Sequence, residues 1–320
     1  MSTAAPPVST SARPISRPAR GKPRGGRANG TRQRRAAYLF VLPFMIVFAT
    51  MFVAPLVYAA YLSLYRTQLI GGTTFVGLTN YVTALTDSSF LGGVGRIIEY
   101  FLFQVPIMLI LAVAFALVLD SGRLRAERLF RIAFFVPYAV PAVVGALVWG
   151  YLYGPRFGPF AQLAGKLGLD APAFLGSGGI IPSLANIATW EFTGYNMIIF
   201  YAALRAIPQE QYEAAAADGA GPVRTAIYVK LPQLRPALVL TLLFSLIGSF
   251  QLFNEPSVIQ PIAGPVVTPD FTPNFYAYNL AFTQQNVNYA AAVSFLLGLL
   301  ILVVTYVAIG VAAIRRRRQA

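Results

Sequence analysis

The sequence contains no cysteine and no histidine among its 320 residues. The absence of cysteine excludes disulfides and thiol nucleophiles. The absence of histidine removes a common zinc ligand and the general base of the Ser-His-Asp mechanism. Charge is also scarce, because Asp, Glu, Lys and Arg make up 11% of the chain, against about 25% in a soluble domain. With 57% hydrophobic residues the chain cannot cover a water-facing surface, so the composition predicts a membrane protein.

The sequence also lacks a phosphate-binding loop of the G-x-x-x-x-G-K-[ST] type. The glycine runs Gly92–Gly95 and Gly176–Gly179 have no following lysine and are interpreted as loop glycines. We therefore expect no catalytic residue, no metal ligand and no bound cofactor in this chain. If ATP drives its activity, ATP and Mg are expected in a separate partner ATPase.

Basic residues outnumber acidic ones by 25 to 11, which gives a net charge of +14. In a soluble protein this excess would point to nucleic acid. Here the basic residues cluster outside the apolar segments, as topology signals and contacts to membrane lipid do. Nine precede Ala36 and four lie at Arg315–Arg318. Nucleic-acid binding is not predicted, because a basic patch is the one feature of such proteins that the sequence has.

Six apolar segments are long enough to cross a bilayer, which takes about 20 residues. They are residues 36–64, 94–119, 132–153, 184–204, 237–254 and 289–314. Residues 66–93 and the proline-rich stretch between the last two segments are interpreted as loops. Residues 1–35 predict a disordered basic tail, 36–314 a transmembrane domain and 315–320 a basic C-terminus. The positive-inside rule, with 21 Lys and Arg on one side and 4 on the other, predicts that both termini and the loop 205–236 are cytoplasmic.

A polar, helix-patterned stretch, Glu213–Pro236, separates two of the apolar segments. Its run Ala214–Ala217 has the highest helix propensity of any residue type. Gly219 can end this helix with a positive φ, and Pro222 can open a second one. The stretch therefore predicts a short helix, a glycine-centred elbow and a second short helix.

This stretch resembles the EAA loop of ABC-importer permeases, in which EAA is followed by DGA, then by LP and a further Pro. The matching residues are Glu213, Ala214, Ala215, Asp218, Gly219, Ala220, Leu231, Pro232 and Pro236. The resemblance implies that the loop couples the chain to an ATPase that docks from the cytoplasm. Glu213, Asp218 and Gly219 are assigned to docking, and the acidic pair either contacts basic groups or caps the elbow internally.

Two weaker features resemble the carbohydrate-type permeases of bacterial ABC importers, the group with the maltose and glycerol-phosphate permeases. Phe75–Tyr81, with the sequence FVGLTNY, is similar to the FxGLxNY segment that follows the first core span, and Tyr289–Ser294 is similar to the opening of the last span. One position departs from the family pattern. Ala226 stands where an aromatic residue is frequent, and its neighbours Ile227 and Tyr228 are expected to fill that volume.

The resemblance implies an all-α integral membrane protein of six transmembrane helices with the type I ABC importer permease fold, in the bacterial cytoplasmic membrane. It implies as partners a second homologous permease, two nucleotide-binding ATPase subunits and an extracytoplasmic solute-binding protein. The implied function is import of a sugar, in particular a di- or oligosaccharide. One alternative is the same architecture for glycerol phosphate, an amino acid or a peptide. Another is a stand-alone secondary transporter, which usually needs titratable residues deep in several spans.

Polar residues inside apolar segments are the candidates for a substrate pathway, because burying them in lipid is costly. Gln251, Asn254 and Glu255 have the i, i+3, i+4 spacing of one helical face. Aromatic faces beside amide and carboxylate groups suit the C–H faces and hydroxyls of sugars. The predicted pathway residues are Glu191, Tyr195, Asn196, Gln251 and Asn254. The alternative is that they bond across helices and hold the bundle or a partner together.

Overall fold

The computed structural model describes residues 27–317 except 69 and 123, so most of the predicted tail lies outside the described residues. The described chain divides into two compact units, with the boundary between residues 56 and 57. The first contains α1 (Arg27–Phe48), a π-helical turn (Ala49–Val53) and the start of α2 (Ala54–Ser63), which ends in the second.

Two helix ends differ from the predicted boundaries. α1 begins at Arg27, so the predicted tail, residues 1–35, is wrong for its last nine residues, which are helical. The last helix, α15 (Val287–Arg317), continues three residues beyond the predicted end of the transmembrane domain at Ile314. Both extensions are rich in Arg, a residue type with high helix propensity.

The second unit contains a hairpin and a succession of helices. The strands β1 (Tyr65–Gln68) and β2 (Gly72–Phe75) pair antiparallel and are the exception to the predicted all-α class. The helices between the hairpin and α15 are α3 (Thr79–Thr86), α4 (Ser88–Asp120), α5 (Glu127–Ala139), α6 (Ala142–Leu152), α7 (Pro159–Lys166), α8 (Ile180–Arg205), α9 (Gln209–Ala217), α10 (Pro222–Thr225), α11 (Leu231–Gln233), α12 (Arg235–Phe250), α13 (Asn254–Ala263) and α14 (Pro273–Tyr278). The stretches interpreted as loops therefore contain β1, β2, α3, α13 and α14.

The packing of α4 against α8 forms the centre of this unit. Small side chains such as Ala112 and Ala116 of α4 lie in one buried cluster with Met197 and Phe200 of α8. α5 packs on α8 at Gly194, where a Cβ atom would stand 1.7 Å from the carbonyl oxygen of Phe134. Only glycine allows backbones to approach this closely.

The predicted third span, residues 132–153, is not one continuous helix. α5 and α6 meet at an angle of 95° around Val140 and Pro141. Proline disfavours a helical backbone at the residue before it, and Val140 is extended, with ψ of 130°. The apolar composition of this segment concealed the break.

The prediction that Gln251, Asn254 and Glu255 share one helical face is also wrong. α12 ends at Phe250, and α13 starts at Asn254 after a non-helical Phe253 with φ of −145°. The physical reason lies in Pro256, which has no N–H and could not have bonded the Leu252 carbonyl in a continuous helix.

Three helical segments of the described chain are long and apolar enough to cross a membrane: Tyr38–Ser63, Ser88–Asp120 and Val287–Gly310. Two bent pairs would add two crossings if each pair crosses as one span: Glu127–Ala139 with Ala142–Leu152, and Pro222–Gln233 with Arg235–Phe250. α8 has the length but carries polar residues such as Thr189, Glu191 and Asn196, and it is not among these apolar segments. The six-span topology stays a prediction.

Candidate substrate cavity and cytoplasmic elbow

A cavity of about 290 Å³ lies between α4, α8 and the break that separates α12 from α13. Its volume is close to the lower end of the roughly 300–1,000 Å³ range of small-molecule pockets. The five predicted pathway residues all line it: Glu191, Tyr195, Asn196, Gln251 and Asn254. The structure thus brings the predicted set together, although their role in binding stays a prediction.

Helical periodicity places the side chains of two cavity walls. On α8, Ala188, Glu191, Phe192 and Tyr195 recur at spacings of three and four residues, so they lie on one face. On α4, Tyr100, Gln104 and Met108 recur at a spacing of four and form the facing wall.

The third wall is the break itself, which two side chains from further along the chain stabilise. Thr272 Oγ1 donates a hydrogen bond of 2.9 Å to the carbonyl oxygen of Leu252. Asn274 Nδ2 donates one of 3.3 Å to the carbonyl oxygen of Gln251. These side chains thus supply hydrogen bonds to backbone carbonyls that a continuous helix would have bonded internally. Residues 251–255, which form the break, line the cavity.

The polar groups of the cavity are sparsely paired within the chain. Asn196 Nδ2 donates to the Phe192 carbonyl oxygen at 3.0 Å and contacts Met108 Sδ on α4 at 3.5 Å. That sulfur contact is weak, so it offers little support for a purely structural role across helices. Tyr195 stacks on Tyr138, with ring centroids 4.6 Å apart.

Sequence reasoning missed five polar residues of the cavity: Tyr100, Gln104, Ser245, Ser249 and Glu255. Gln104 could have been found as an amide within a long apolar run. Glu255 was recognised as polar but was left out of the predicted set. It is only 7% exposed, as is Glu191, so both carboxyl groups are buried at the cavity wall.

The elbow, residues 205–236, has the predicted helix–glycine–helix form. α9 is followed by Gly219 with φ of +74°, which confirms the predicted positive φ. Pro208 is the N-cap residue of α9. Glu213 and Asp218 are exposed, so their carboxylates are free to meet another surface.

The second half of the elbow presents apolar side chains to the outside. α10 continues through a π-helical turn (Ala226–Lys230) into α11, and this segment meets α12 at 61°. Val223, Ile227 and Tyr228 are 72%, 49% and 74% exposed. Ile227 and Tyr228 directly follow Ala226, the position at which the family frequently has an aromatic residue.

Lys230 forms an ion pair that connects the elbow to α4. Its Nζ lies 2.5 Å from Asp120 Oδ2 at the end of α4, and the two side chains are 14% and 7% exposed. The same ammonium lies 5.4 Å from the ring centroid of Tyr212 on α9. Burial, together with the nearby Asp120 carboxylate, raises the pKa of the Tyr212 phenol. Asp120 lies just beyond the predicted apolar segment 94–119, and nothing in the sequence connects it with the elbow.

Known proteins share both the sequence pattern and the architecture. The family model described as "Binding-protein-dependent transport system inner membrane component" matches residues 88–319. The arabinooligosaccharides transport system permease protein AraP of Bacillus subtilis is 29% identical over 281 residues, 87% of this chain and 88% of that protein. The lactose transport system permease protein LacF of Rhizobium radiobacter is 28% identical over 84% of this chain and 91% of its own length.

A further relative handles a different kind of solute. The sn-glycerol-3-phosphate transport system permease protein UgpA of Shigella flexneri is 31% identical over 86% of this chain and 93% of that protein. Among solved structures, a bacterial ABC transporter involved in the import of the acidic polysaccharide alginate matches with a TM-score of 0.78. That match covers 89% of this chain and 98% of the other, at 18% identity, and shows the shared fold.

Proposed function

This chain belongs to the family of binding-protein-dependent transport system inner membrane components, and from that premise we propose that it imports a sugar across the bacterial cytoplasmic membrane. It is a membrane transport permease. Relatives named for arabino-oligosaccharide and lactose transport support a di- or oligosaccharide as the solute. The observation that carries the proposal is a cavity in which aromatic rings meet amide and carboxylate groups.

Each kind of cavity residue has a role in this proposal. The rings of Phe192 and Tyr195 offer apolar faces to the C–H faces of a sugar ring. Glu191 accepts hydrogen bonds from hydroxyls, while the amides of Gln251 and Asn254 both donate and accept. Gln251 and Asn254 are exposed, and a second homologous permease would close that side of the cavity.

The energy for import would come from two ATPase subunits that hold ATP and Mg, because the sequence has no phosphate-binding loop of its own. The elbow would dock them through Glu213, Asp218 and the exposed Val223 and Tyr228. Since Lys230 ties the elbow to the end of α4, movement of a docked ATPase would reach a cavity wall directly. An extracytoplasmic solute-binding protein would deliver the sugar.

The proposed topology has six spans with both termini in the cytoplasm. It counts α8 and the two bent pairs as crossings beside the three apolar segments. A helix with polar residues can cross where these face a cavity rather than lipid, as Glu191 and Asn196 of α8 do. The excess of Lys and Arg in the tail, the elbow and the C-terminus then lies on the cytoplasmic side.

Purification of the intact complex tests this proposal. The chain, carrying a C-terminal tag, is isolated gently from native membranes, and co-purifying proteins are identified by mass spectrometry. We expect a second permease and an ATPase with a phosphate-binding loop. The variant Gly219→Val should lose the ATPase, because a β-branched residue at φ of +74° is strained and would distort the elbow.

Gly221→Val is the matched control. Both glycines have open space where a Cβ atom would stand, but Gly221 has φ of −71°, which any residue adopts. The control should retain the ATPase. A chain that purifies alone and still moves sugar without ATP would show that the stand-alone transporter is the right interpretation.

A second candidate, glycerol phosphate import by the same architecture, is favoured by the 31% identity to UgpA. Uptake of labelled glycerol 3-phosphate and of neutral disaccharides by reconstituted complex separates the two functions. Uptake of the phosphate ester in preference to the sugars would replace the main proposal.

A further inference from the structure

Two carboxyl groups of the cavity have no counter-charge. Glu191 and Glu255 are each 7% exposed and line the same cavity. Within the described part of the chain neither forms an ion pair, and the Glu191 carboxylate accepts no hydrogen bond.

Local structure accounts for one of these groups only in part. Glu255 lies in the first turn of α13, where the partial positive charge of a helix N-terminus and its own backbone N–H favour a carboxylate. That explains how Glu255 is tolerated, but not why it faces the cavity. Glu191 lies in the middle of the 26-residue α8, where no helix terminus compensates it.

Three basic side chains of the described chain, those of Arg96, Arg131 and Lys230, are engaged elsewhere. None of the described residues lining the cavity is Lys or Arg. Arg96, which lies on α4 one turn from Tyr100, donates to the carbonyl oxygens of Phe271 and Asp270. Lys230 pairs with Asp120, and the Arg131 guanidinium lies over the ring of Tyr201. The cavity wall that this chain provides therefore has acidic groups without basic ones.

An anionic solute in such a cavity would be buried beside carboxyl groups and without a cation. Burying an unpaired charge is costly, and like charges add to the cost. A neutral sugar gains hydrogen bonds from the same carboxyl oxygens, and an amino sugar gains a charge-assisted one.

We propose that Glu191 and Glu255 select against anions in the cavity, so that the imported solute is a neutral or amino sugar rather than a uronic acid or phosphate ester. This inference rests on the proposed sugar import. It makes both carboxylates specificity-determining residues of the pathway.

The absence of cysteine from the natural chain makes a direct test possible. Asn254→Cys places one thiol at the cavity mouth, in the complex held in lipid nanodiscs. The rates at which a cationic and an anionic methanethiosulfonate reagent label this peptide are measured by mass spectrometry. We expect the cationic reagent to label faster than the anionic one by roughly tenfold, relative to the two rates on a free thiol in solution.

Glu191→Gln and Glu255→Gln, each combined with Asn254→Cys, keep the side-chain volume and remove the carboxylate. Each should lower the rate ratio several-fold. Ile70→Cys, at a position that is 92% exposed in the hairpin connection, is the control thiol, and its ratio should not respond to either Gln substitution. The proposal would be overturned if the cationic-to-anionic labelling ratio at Asn254→Cys equals that of a free thiol. It would also be overturned if both Gln substitutions leave this ratio unchanged.

A transport measurement links the charge preference to the solute. Uptake of a neutral disaccharide and of its uronic-acid counterpart is compared in reconstituted complex with and without the Gln substitutions. We expect the preference for the neutral sugar to fall several-fold in the variants. Uptake of neither solute, with the labelling ratio still high, would refute the proposed sugar import while leaving the charge selection standing.

Discussion

The elbow and the cavity leave opposite kinds of groups without partners among the described residues. On the elbow, apolar Val223 and Tyr228 are more than two-thirds exposed. In the cavity, polar Glu191 and Glu255 are buried. Exposed apolar surface gains free energy when a large partner covers it, whereas a buried polar group gains when a ligand supplies hydrogen bonds. The elbow therefore has the surface chemistry of a protein-docking site, and the cavity that of a polar small-molecule site.

The two regions also differ in how they are held. One wall of the cavity, α8, packs closely against α5, where Gly194 meets the Phe134 carbonyl. The elbow is held by the ion pair between Lys230 and Asp120, by the conformation of Gly219, and by Ile207 and Leu234, which are buried in a cluster with side chains of α4 and α8. Packing of α8 fixes the positions of the binding groups, while the anchored elbow can transmit the movement of a docked partner to the core.

The largest effect should come from breaking the packing behind the cavity. Gly194→Val places side-chain atoms where the Phe134 carbonyl now lies, so α5 and α8 must separate. Overpacking typically costs about 1–3 kcal/mol and occasionally more, and an overlap with a backbone carbonyl belongs at the upper end of that range. We expect the purified variant to unfold at a clearly lower temperature, followed by fluorescence-detected size-exclusion after heating. Gly298→Val on α15 has open space around its Cβ position and should leave that temperature nearly unchanged.

A smaller effect should follow from removing the tie between the elbow and α4. Lys230→Met leaves the Asp120 carboxylate largely buried without its partner, which costs about 3 kcal/mol in buried pairs and less here because Lys230 is 14% exposed. The variant should still bind the ATPase, since Val223 and Tyr228 are untouched, but should move less sugar per ATP hydrolysed.

The double variant Lys230→Met with Asp120→Asn tests the cause of that loss. Removing both charges should restore stability in thermal unfolding without restoring the ratio of transport to hydrolysis. Full coupling in Lys230→Met would mean that the ion pair only stabilises the fold and that motion reaches the core by another contact.

The elbow was predictable because its determinants are local. The alanine run, Gly219 and Pro222 specify a helix, a left-handed residue and a new helix within ten residues. The pairing of Lys230 with Asp120 was not predictable, because it joins positions 110 residues apart.

The five predicted pathway residues do line the cavity, but the reason given for two of them was wrong. Glu191 and Tyr195 face it because of helical spacing on α8, as the sequence indicates. Gln251 and Asn254 reach it through a helix break, not through a shared face. That break is stabilised by Thr272, which is 20 residues further along the chain, so a local pattern cannot reveal it.

The last prediction separates a binding group from a structural one at this break. The Asn254 side-chain amide forms no hydrogen bond with the described part of the chain, whereas Thr272 is 1% exposed and bonds the Leu252 carbonyl. Asn254→Ala should therefore lower sugar uptake about fivefold, the value of one hydrogen bond, and leave the unfolding temperature unchanged. Thr272→Val should instead lower the unfolding temperature, because the Leu252 carbonyl loses its hydrogen-bond donor. If Asn254→Ala instead disrupts the complex, Asn254 contacts a partner subunit rather than the solute, and the cavity mouth is part of an interface.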